Sequence, residues 1–282
     1  MQTGHDIVLT GLPRAGTTLA CRLLNLLPNT VALHEPFLPR FFAGMGNEAV
    51  LEKLGRFFRK SRRGIRRDGG APSKTIRGAI PENAYGSAKL GQLRSHSVEK
   101  GNEMGRLIVD KDLEGRFFLV VKQPAIFTAL LPVLVERFPC YTIVRNPLSV
   151  LASWNSVDHN VREGHAPGAE LYDEGLRRDL AAIEDRVGRQ LRLLSWWYER
   201  FYGTLDEDHI IRYEDLVGSG GRALSVVVPS AKLLNEPLES RNLNPLYDRD
   251  DMLRIGERLL AREGAYWRFY RRESVEELLA AL

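Results

Sequence analysis

The sequence predicts an α/β protein in which a central parallel β-sheet is flanked by helices. Short apolar segments alternate along the chain with segments of helical periodicity, the order that strand–helix–strand units produce. The first apolar segment runs directly into a glycine-rich loop, which is followed by a helical pattern. These observations predict a P-loop-like architecture, with helices covering the sheet and ligands bound at the carboxyl ends of its strands.

Each strand and helix has its own signal in the sequence. Apolar runs predict strands at 7–10, 30–33, 117–121, 141–144 and 209–213. Apolar residues at helical spacing predict helices at 17–27, 48–60 and 125–138, from 147 onward, from 176 to about 202, and in the last forty residues. Pro132 is expected to kink or divide its helix, whereas Pro147 occupies a favoured first-turn position. The aromatic run at 196–198 is expected to lie in the core. Residues 61–116 lack clear periodicity, and we expect irregular chain with short elements there.

Length and composition are those of an ordinary globular protein. The chain has 282 residues, of which 44% are hydrophobic and 27% charged, and this excludes a disordered or fibrous chain. We expect a single domain over residues 1–282, with a less regular basic insertion around 53–116. Cys21 and Cys140 lie in apolar segments and predict buried thiols, not a disulfide. The sequence shows no signal-peptide pattern and no apolar run long enough to span a membrane, so we expect a cytoplasmic protein.

The positive charge is concentrated in one segment, although the formal net charge is only +4. Eight basic side chains and no acidic one lie between residues 53 and 67, so the rest of the chain is slightly acidic. Such a segment is either a solvated face or a surface that attracts an acidic substrate or an anionic membrane. Nucleic acid is not expected as a partner, because no recognition motif accompanies the charge.

Residues 11–18, GLPRAGTT, have the glycine spacing of a phosphate-binding loop between a strand and a helix. Glycines let backbone N–H groups approach an anion, and the helix N-terminus adds its dipole. Thr17 stands where a P-loop kinase or ATPase has its lysine, and no other predicted strand runs into the aspartate that would hold Mg²⁺. The loop therefore predicts an anion site without the metal-dependent triphosphate machinery. The structural alternative is a tight turn without a ligand.

The same loop resembles the 5′-phosphosulfate-binding loop of the PAPS-dependent sulfotransferases, in the branch that contains carbohydrate and tyrosylprotein sulfotransferases. Ala15 replaces the usual serine. A second match, YTIVRNP at 141–147, resembles the family's 3′-phosphate element, in which a serine follows the arginine by eight residues. A weaker third match is RYEDL at 212–216. The matches cover 7–37, 117–155 and 208–217, and they imply the sulfotransferase fold.

The resemblance implies a nucleotide site for PAPS as sulfuryl donor and PAP as product, without a metal. It assigns Arg145 and Ser153 to the 3′-phosphate and lets Tyr213 line the site. Arg241 is a weaker candidate to close over the 3′-phosphate. The residues implied for the 5′-phosphosulfate form the loop: Pro13, Arg14, Ala15, Gly16, Thr17 and Thr18.

Two side chains after the second strand are candidates for the catalytic base. Strand alternation places His34 and Glu35 on opposite faces, so we expect only one of them to face the site. Histidine is chemically the more usual base, but the resemblance favours Glu35; as a structural alternative, Glu35 pairs with Arg14. Lys122, in VKQP, resembles the lysine of the family's N-K-D-P segment, with Gln123 replacing the acid. Lys122 and Arg14 would share the developing charge, unless Lys122 is simply a solvated lysine at a strand end.

The resemblance therefore predicts an enzyme that transfers a sulfuryl group from PAPS to a hydroxyl. Glu35-Pro36 favours a carbohydrate or glycolipid acceptor, such as an acidic or lipid-linked glycan, and contact with a membrane surface is compatible with this. Tyrosine peptides, phenols and alcohols remain alternatives. A P-loop kinase and a non-catalytic nucleotide-binding module are the alternatives from other classes. We expect acceptor specificity to reside around 36–116 and 156–175, and the sequence makes no prediction of oligomeric state.

Overall fold

A computed structural model describes residues 5–81, 83, 85, 92–95 and 103–282. The strands are β1 Asp6–Gly11, β2 Thr30–His34, β3 Gly70–Thr75, β4 Glu103–Ile108, β5 Phe118–Lys122, β6 Cys140–Val144 and β7 Ile210–Arg212. The α-helices are α1 Thr17–Leu26, α2 Asn47–Asp68, α3 Pro124–Ala129, α4 Leu131–Leu134, α5 Pro147–Asn155, α6 Pro167–Glu170, α7 Glu174–Ala181, α8 Arg186–Tyr202, α9 Tyr213–Gly218, α10 Arg249–Leu260 and α11 Glu273–Ala280. Short 3₁₀ segments complete the connections.

Within the described residues, five strands form one parallel sheet in the order β2-β5-β1-β6-β7. These are the five strands that the apolar runs predict, and the α/β class with a central parallel sheet flanked by helices is confirmed. One continuous set of buried apolar side chains extends from Ile7 to Val275. Because all five strands are parallel, their carboxyl ends lie at one edge, and this edge carries the candidate site.

Two of the predicted helices are each divided in two, one around Pro132 and the other before Asp185. The helix predicted at 125–138 is divided around Pro132 into α3 and α4, as expected. The single long helix predicted from 176 to about 202 is wrong, because the chain breaks between α7 and α8. Asp185 caps α8 by accepting the Gly188 amide, and Arg189 Nη1 donates to the Ile183 and Glu184 carbonyls, which fixes the break.

The basic segment is more regular than predicted. Residues 61–68 continue α2, so the predicted helix end at residue 60 and irregular chain over 61–68 are wrong. The antiparallel pairing of β3 with β4 is one of the short elements expected within 61–116. Arg62 explains the extension. Its guanidinium donates to Asp6 Oδ1 at 2.7 Å and to the Phe117 and His5 carbonyls at 2.6 and 2.8 Å, at the amino ends of β1 and β5. This arginine therefore joins α2 to the sheet edge opposite the candidate site.

Several buried groups have the roles that the sequence predicts for them. Cys21 and Cys140 are free and buried, and burial raises the pKa of the Cys21 thiol to about 12. The aromatic side chains at 196–198 are buried in the core.

Across the described residues, no helix combines the length and the apolar character needed to cross a membrane.

Candidate active site

The phosphate loop connects β1 to α1 in a tight turn. Gly11 and Gly16 have positive φ values of 149° and 89°. A Cβ on Gly11 would lie 2.6 Å from Thr17 Cγ2, and one on Gly16 would lie 2.7 Å from Tyr213 Cδ2, so both positions require glycine. Arg14 also adopts the left-handed region, with φ 71°, a strained conformation that is concentrated at functional sites. The loop conformation therefore depends on two glycines and on strain at Arg14.

The beginning of α1 provides backbone donors at this loop. Among the described residues, no side chain caps the helix, whose N-cap residue is Gly16. The first-turn amides have no intrahelical acceptor, and the helix dipole adds partial positive charge at the same end. This is the arrangement that binds phosphate or sulfate groups in other proteins.

Two side chains of the β6–α5 segment donate hydrogen bonds to backbone carbonyls of the phosphate loop. Trp154 Nε1 donates to the Pro13 carbonyl at 2.9 Å, and Arg145 Nη1 donates to the Arg14 carbonyl at 2.8 Å. In turn, Arg14 Nε donates to Ser153 Oγ at 3.1 Å. The two phosphate elements that the sequence identified 130 residues apart are therefore in direct contact.

The Arg145 guanidinium joins several further groups of the C-terminal region. It is buried, lies over the Tyr213 ring at 4.6 Å and donates from Nε to Asn242 Oδ1 at 2.9 Å. It also donates to the Arg241 carbonyl and approaches the Tyr247 hydroxyl at 3.4 Å. Arg145 thus couples the phosphate loop to the chain around 241–247.

Glu214, in the RYEDL element, supports this arrangement without entering the cavity. Its Oε1 accepts the Asn146 amide at 3.0 Å and the Asn242 side-chain amide at 2.8 Å, and its Oε2 accepts the Tyr270 hydroxyl at 2.7 Å. Asn242 is thereby oriented so that its carbonyl oxygen faces Arg145. The third motif of the sequence is therefore a scaffold for the second.

A cavity of about 370 Å³ lies above these elements, at the carboxyl edge of the sheet. Its volume is in the range of small-molecule sites, roughly 300–1,000 Å³. The lining combines the phosphate loop, the start of α1, β6, α9 and the C-terminal chain: Arg14, Gly16, Thr17, Thr18, Leu19, Asn83, Arg94, Arg145, Tyr213, Pro237, Leu238, Glu239, Arg241, Asn244 and Tyr247. Among the described residues that line it, Glu239 is the one carboxylate, against four arginines.

The described residues compensate little of the positive charge of this cavity. Within the described part of the chain, Arg14, Arg94 and Arg145 form no ion pair with a carboxylate. Burial, and then repulsion from Arg94, lower the pKa of Arg14 to about 10. Burial by itself would raise the pKa of Tyr247, but Arg145, a hydrogen bond from Ser153 and Arg14 lower it below its usual value. Such a cavity favours a ligand with several negative charges.

A second polar cluster lies at the neighbouring strand ends, where β2 and β5 pair His34 with Lys122. Lys122 Nζ donates to Glu35 Oε1 at 2.6 Å, and Lys74 Nζ donates to Glu35 Oε2 at 2.9 Å. The Lys122 side chain is only 2% exposed, so it is a buried partner of the carboxylate and not a solvated lysine. Within the described residues, Glu35 pairs with these two lysines and not with Arg14.

The expectation that strand alternation turns His34 and Glu35 to opposite faces is wrong, although neither side chain lines the cavity. His34 Nδ1 lies 3.4 Å from Lys122 Nζ, so both side chains approach the same ammonium. Alternation fails because β2 ends at His34 and Glu35 adopts a left-handed conformation with φ 45°. That turn brings the Glu35 side chain back toward the side on which His34 lies.

The β3–β4 hairpin delivers Lys74 to this cluster. Ser73 Oγ accepts the His34 amide at 2.9 Å and lies 3.3 Å from the His34 carbonyl. Since β2 is the edge strand of the sheet, Ser73 satisfies edge groups that the ladder leaves unpaired. The next residue, Lys74, is thereby fixed beside Glu35.

The Glu35 cluster predicts how stability responds to pH. Burial by itself would raise the pKa of Glu35, but Lys122, His34 and Lys74 hold it well below its usual range. A depressed carboxylate pKa stabilises the folded state above the unfolded value of about 4.3, and this stabilisation is lost as pH falls through the folded pKa. The unfolding free energies of wild type and Glu35→Gln, from urea titrations, should therefore differ by a constant amount above about pH 5 and converge below about pH 4. A difference that does not change down to pH 3 would contradict this assignment.

The structure brings together most of the residues that the sequence singled out. Arg14, Gly16, Thr17, Thr18, Arg145, Tyr213 and Arg241 line the cavity. Pro13, Ala15 and Ser153 lie behind that lining: Pro13 is bound by Trp154, Ala15 is buried and Ser153 holds Arg14. Glu35 and Lys122 lie outside the cavity lining, in their own cluster.

Sequence reasoning missed several residues of the site. Glu214 lies within a motif that had been recognised, so a signal for it existed. By contrast, Lys74, Asn83, Arg94, Asn242 and Tyr247 stand in stretches without periodicity or motif.

Comparison with known proteins finds similarity only at low levels. No protein-family model matches the chain, and the search of curated proteins found no match. The sulfotransferase domain of the olefin synthase from Synechococcus PCC 7002 is 14% identical and has a TM-score of 0.36, over 98% of this chain and 93% of that one. Sulfotransferase STF1 from Mycobacterium tuberculosis H37Rv is 13% identical and has a TM-score of 0.34, over 99% of this chain and 77% of that one. At these levels, function must be inferred from the chain's own side chains.

Proposed function

We propose that this protein is a sulfotransferase that moves the sulfuryl group of PAPS to a hydroxyl of an acceptor. The observation that carries the proposal is the cavity in which Arg14, Arg94 and Arg145 meet the phosphate loop without a carboxylate partner among the described residues. A nucleotide with two phosphorylated positions supplies the missing negative charge. The Glu35–Lys122 pair at the adjacent strand ends supplies the groups that sulfuryl transfer needs.

The hydrogen-bond donors of the cavity fit the two anionic groups of PAPS, the 5′-phosphosulfate and the 3′-phosphate. The amides at the start of α1, together with Arg14, would hold the 5′-phosphosulfate, because helix N-termini and guanidinium groups both bind tetrahedral anions. Arg145 would hold the 3′-phosphate. Ser153 is fully buried and contributes by fixing Arg14. Tyr213, whose ring supports Arg145, would form the wall of the nucleotide site.

Glu35 is proposed to accept the proton of the acceptor hydroxyl. As the hydroxyl oxygen forms its bond to sulfur, the bond from sulfur to the 5′-phosphate oxygen breaks, and PAP leaves with that electron pair. An ammonium has three N–H donors. One donor of Lys122 binds Glu35, and a second is within reach of His34, which leaves one for a sulfuryl oxygen. Lys122 and Arg14 would then stabilise the charge that develops on the sulfuryl and leaving-group oxygens.

The acceptor is proposed to be a carbohydrate hydroxyl, on a free glycan or a glycolipid. Its support is the Glu35-Pro36 pair, which resembles the carbohydrate enzymes. Incubation with radiolabelled PAPS and matched panels of glycans, tyrosine peptides and phenols tests this choice. Labelling of phenols or peptides alone would exclude the carbohydrate acceptor while leaving sulfuryl transfer intact.

Binding of PAP is expected to stabilise the protein against heat. A ligand at 100 times its Kd that binds only the native state contributes about 2.7 kcal/mol, which should raise Tm by roughly 5 °C in a chain of this size. ATP with Mg²⁺ should raise Tm much less, because Thr17 stands in place of the P-loop lysine. In addition, the described lining residues include no carboxylate at a strand end that could hold the metal. Differential scanning fluorimetry with matched concentrations gives the comparison. Equal stabilisation by PAP and Mg²⁺-ATP would favour the kinase alternative.

A further inference from the structure

Arg94 occupies the cavity wall without having been indicated by any sequence motif. It belongs to the connection between β3 and β4, is 5% exposed and lines the cavity together with Arg14 and Arg145. Its position is fixed by the end of α5. Arg94 Nη2 donates to Ser156 Oγ at 2.6 Å, and its backbone amide donates to the Ser156 carbonyl at 3.1 Å.

This anchoring leaves the charge of Arg94 uncompensated by the described part of the chain. The Ser156 hydroxyl and, at 3.5 Å, the Ser156 carbonyl accept from the guanidinium, but neither carries a negative charge. Arg94 and Arg14 line the same cavity, where burial and then repulsion between the two cations lower the pKa of Arg14. A buried charge of this kind is costly unless an anion joins it.

The surroundings of Arg94 indicate which anionic group of the proposed nucleotide it binds. Tyr247, Tyr85, Arg145 and Arg241 act on the charge of its guanidinium. Arg145 contacts Tyr247 and the Arg241 carbonyl, so three of these four groups lie on the Arg145 side of the cavity, whereas the Tyr85 ring lies against Arg14. In addition, the Ser156 hydroxyl that binds Arg94 donates to the Ser153 carbonyl, so Arg94 is tied to α5, the helix that follows Arg145 in the chain. The amides of α1, which suit the other anionic group, lie on the phosphate-loop side.

We propose that Arg94 is a third cationic ligand of the nucleotide and binds its 3′-phosphate together with Arg145. This inference rests on the proposed function, because it takes PAP-type nucleotides as the ligand. Part of the β3–β4 connection would then bind the nucleotide that donates the sulfuryl group, whereas the sequence predicts that this region determines acceptor specificity.

Isothermal titration calorimetry with two nucleotides tests the role of Arg94. PAP carries both phosphates, whereas 5′-AMP lacks the 3′-phosphate. Arg94→Gln keeps a donor for Ser156 but removes the charge, and it should weaken PAP binding by about 10- to 100-fold, the usual worth of a hydrogen bond to a charged group. Binding of 5′-AMP should change by less than about threefold. Arg94→Lys should lie between wild type and Arg94→Gln, and Arg116→Ala, at an exposed site before β5, should match wild type.

The other outcomes overturn the assignment in distinguishable ways. Equal losses for PAP and 5′-AMP in Arg94→Gln would make Arg94 a residue that only supports the cavity. Unchanged affinity for both nucleotides would remove it from the site. If wild type itself showed no preference for PAP over 5′-AMP, the proposed function would fail, independently of Arg94. Binding of 5′-AMP also reports whether each variant has folded with an intact phosphate loop.

Discussion

Glu35→Gln is expected to lower kcat by about 10²- to 10⁴-fold, the usual contribution of a positioned base. The substitution keeps the size of the side chain and its acceptor oxygen for Lys122, but it removes the basic carboxylate. Affinity for PAP should stay within about threefold of wild type, because Glu35 lies outside the lining of the nucleotide cavity. Steady-state kinetics with an acceptor found in the panel, together with PAP titration by calorimetry, measures both quantities.

The depressed pKa of Glu35 provides a second test of its role as the base. A carboxylate between two ammonium groups is a weak base, so its proton affinity must rise during catalysis. This would happen as the Lys122 ammonium is drawn toward the negative charge that develops on the sulfuryl and leaving-group oxygens, because its bond to Glu35 then weakens. Lys74→Met removes the second ammonium and should shift the acid limb of the kcat profile to higher pH, since the pKa of Glu35 then rises. An acid limb that does not move in Lys74→Met would argue against Glu35 as the titrating base.

His34→Gln is the matched control for Glu35→Gln. The two residues are adjacent, and both side chains approach Lys122 Nζ. If Glu35 is the base, His34→Gln should retain most of kcat. The reverse result would assign the base to His34 and leave sulfuryl transfer in place. Loss of PAP binding in Glu35→Gln would instead make Glu35 a structural residue of the strand edge.

Arg145→Ala is expected to weaken PAP binding by more than about 100-fold, because it removes a charge from the 3′-phosphate and loosens the phosphate loop as well. The guanidinium contacts the Arg14 carbonyl, Asn242 and the Tyr213 ring at once. Alanine therefore leaves these groups without their partner. Calorimetry measures the affinity, and thermal unfolding without ligand should show a lower Tm.

Two companion variants separate charge from architecture at Arg145. Arg145→Lys retains the charge but loses the planar fork, so its affinity for PAP should be intermediate. Ser153→Ala removes the acceptor of Arg14 Nε and the hydrogen bond to Tyr247, and it should cost no more than about tenfold. If the affinity for PAP were unchanged in both Arg145→Ala and Ser153→Ala, the nucleotide would have to bind elsewhere.

The sequence by itself determined the strands, the phosphate loop and Arg145. These features are local: a buried parallel strand is an apolar run, and a phosphate loop is a spacing of glycines between a strand and a helix. Because the carboxyl ends of parallel strands share one edge, the positions of Glu35, Lys122 and Arg145 at strand ends also followed from the sequence.

The tertiary structure alone decided which of these groups meet. Glu35 takes its partners from residues 39 and 87 positions away, and its direction depends on a left-handed turn that no local pattern signals. Arg94 and Tyr247 reach the cavity from irregular connections, where neither periodicity nor motif constrains the chain. Such contacts arise when packing of the whole core fixes the loops, so their physical cause lies in long-range burial and not in the neighbouring residues of the sequence.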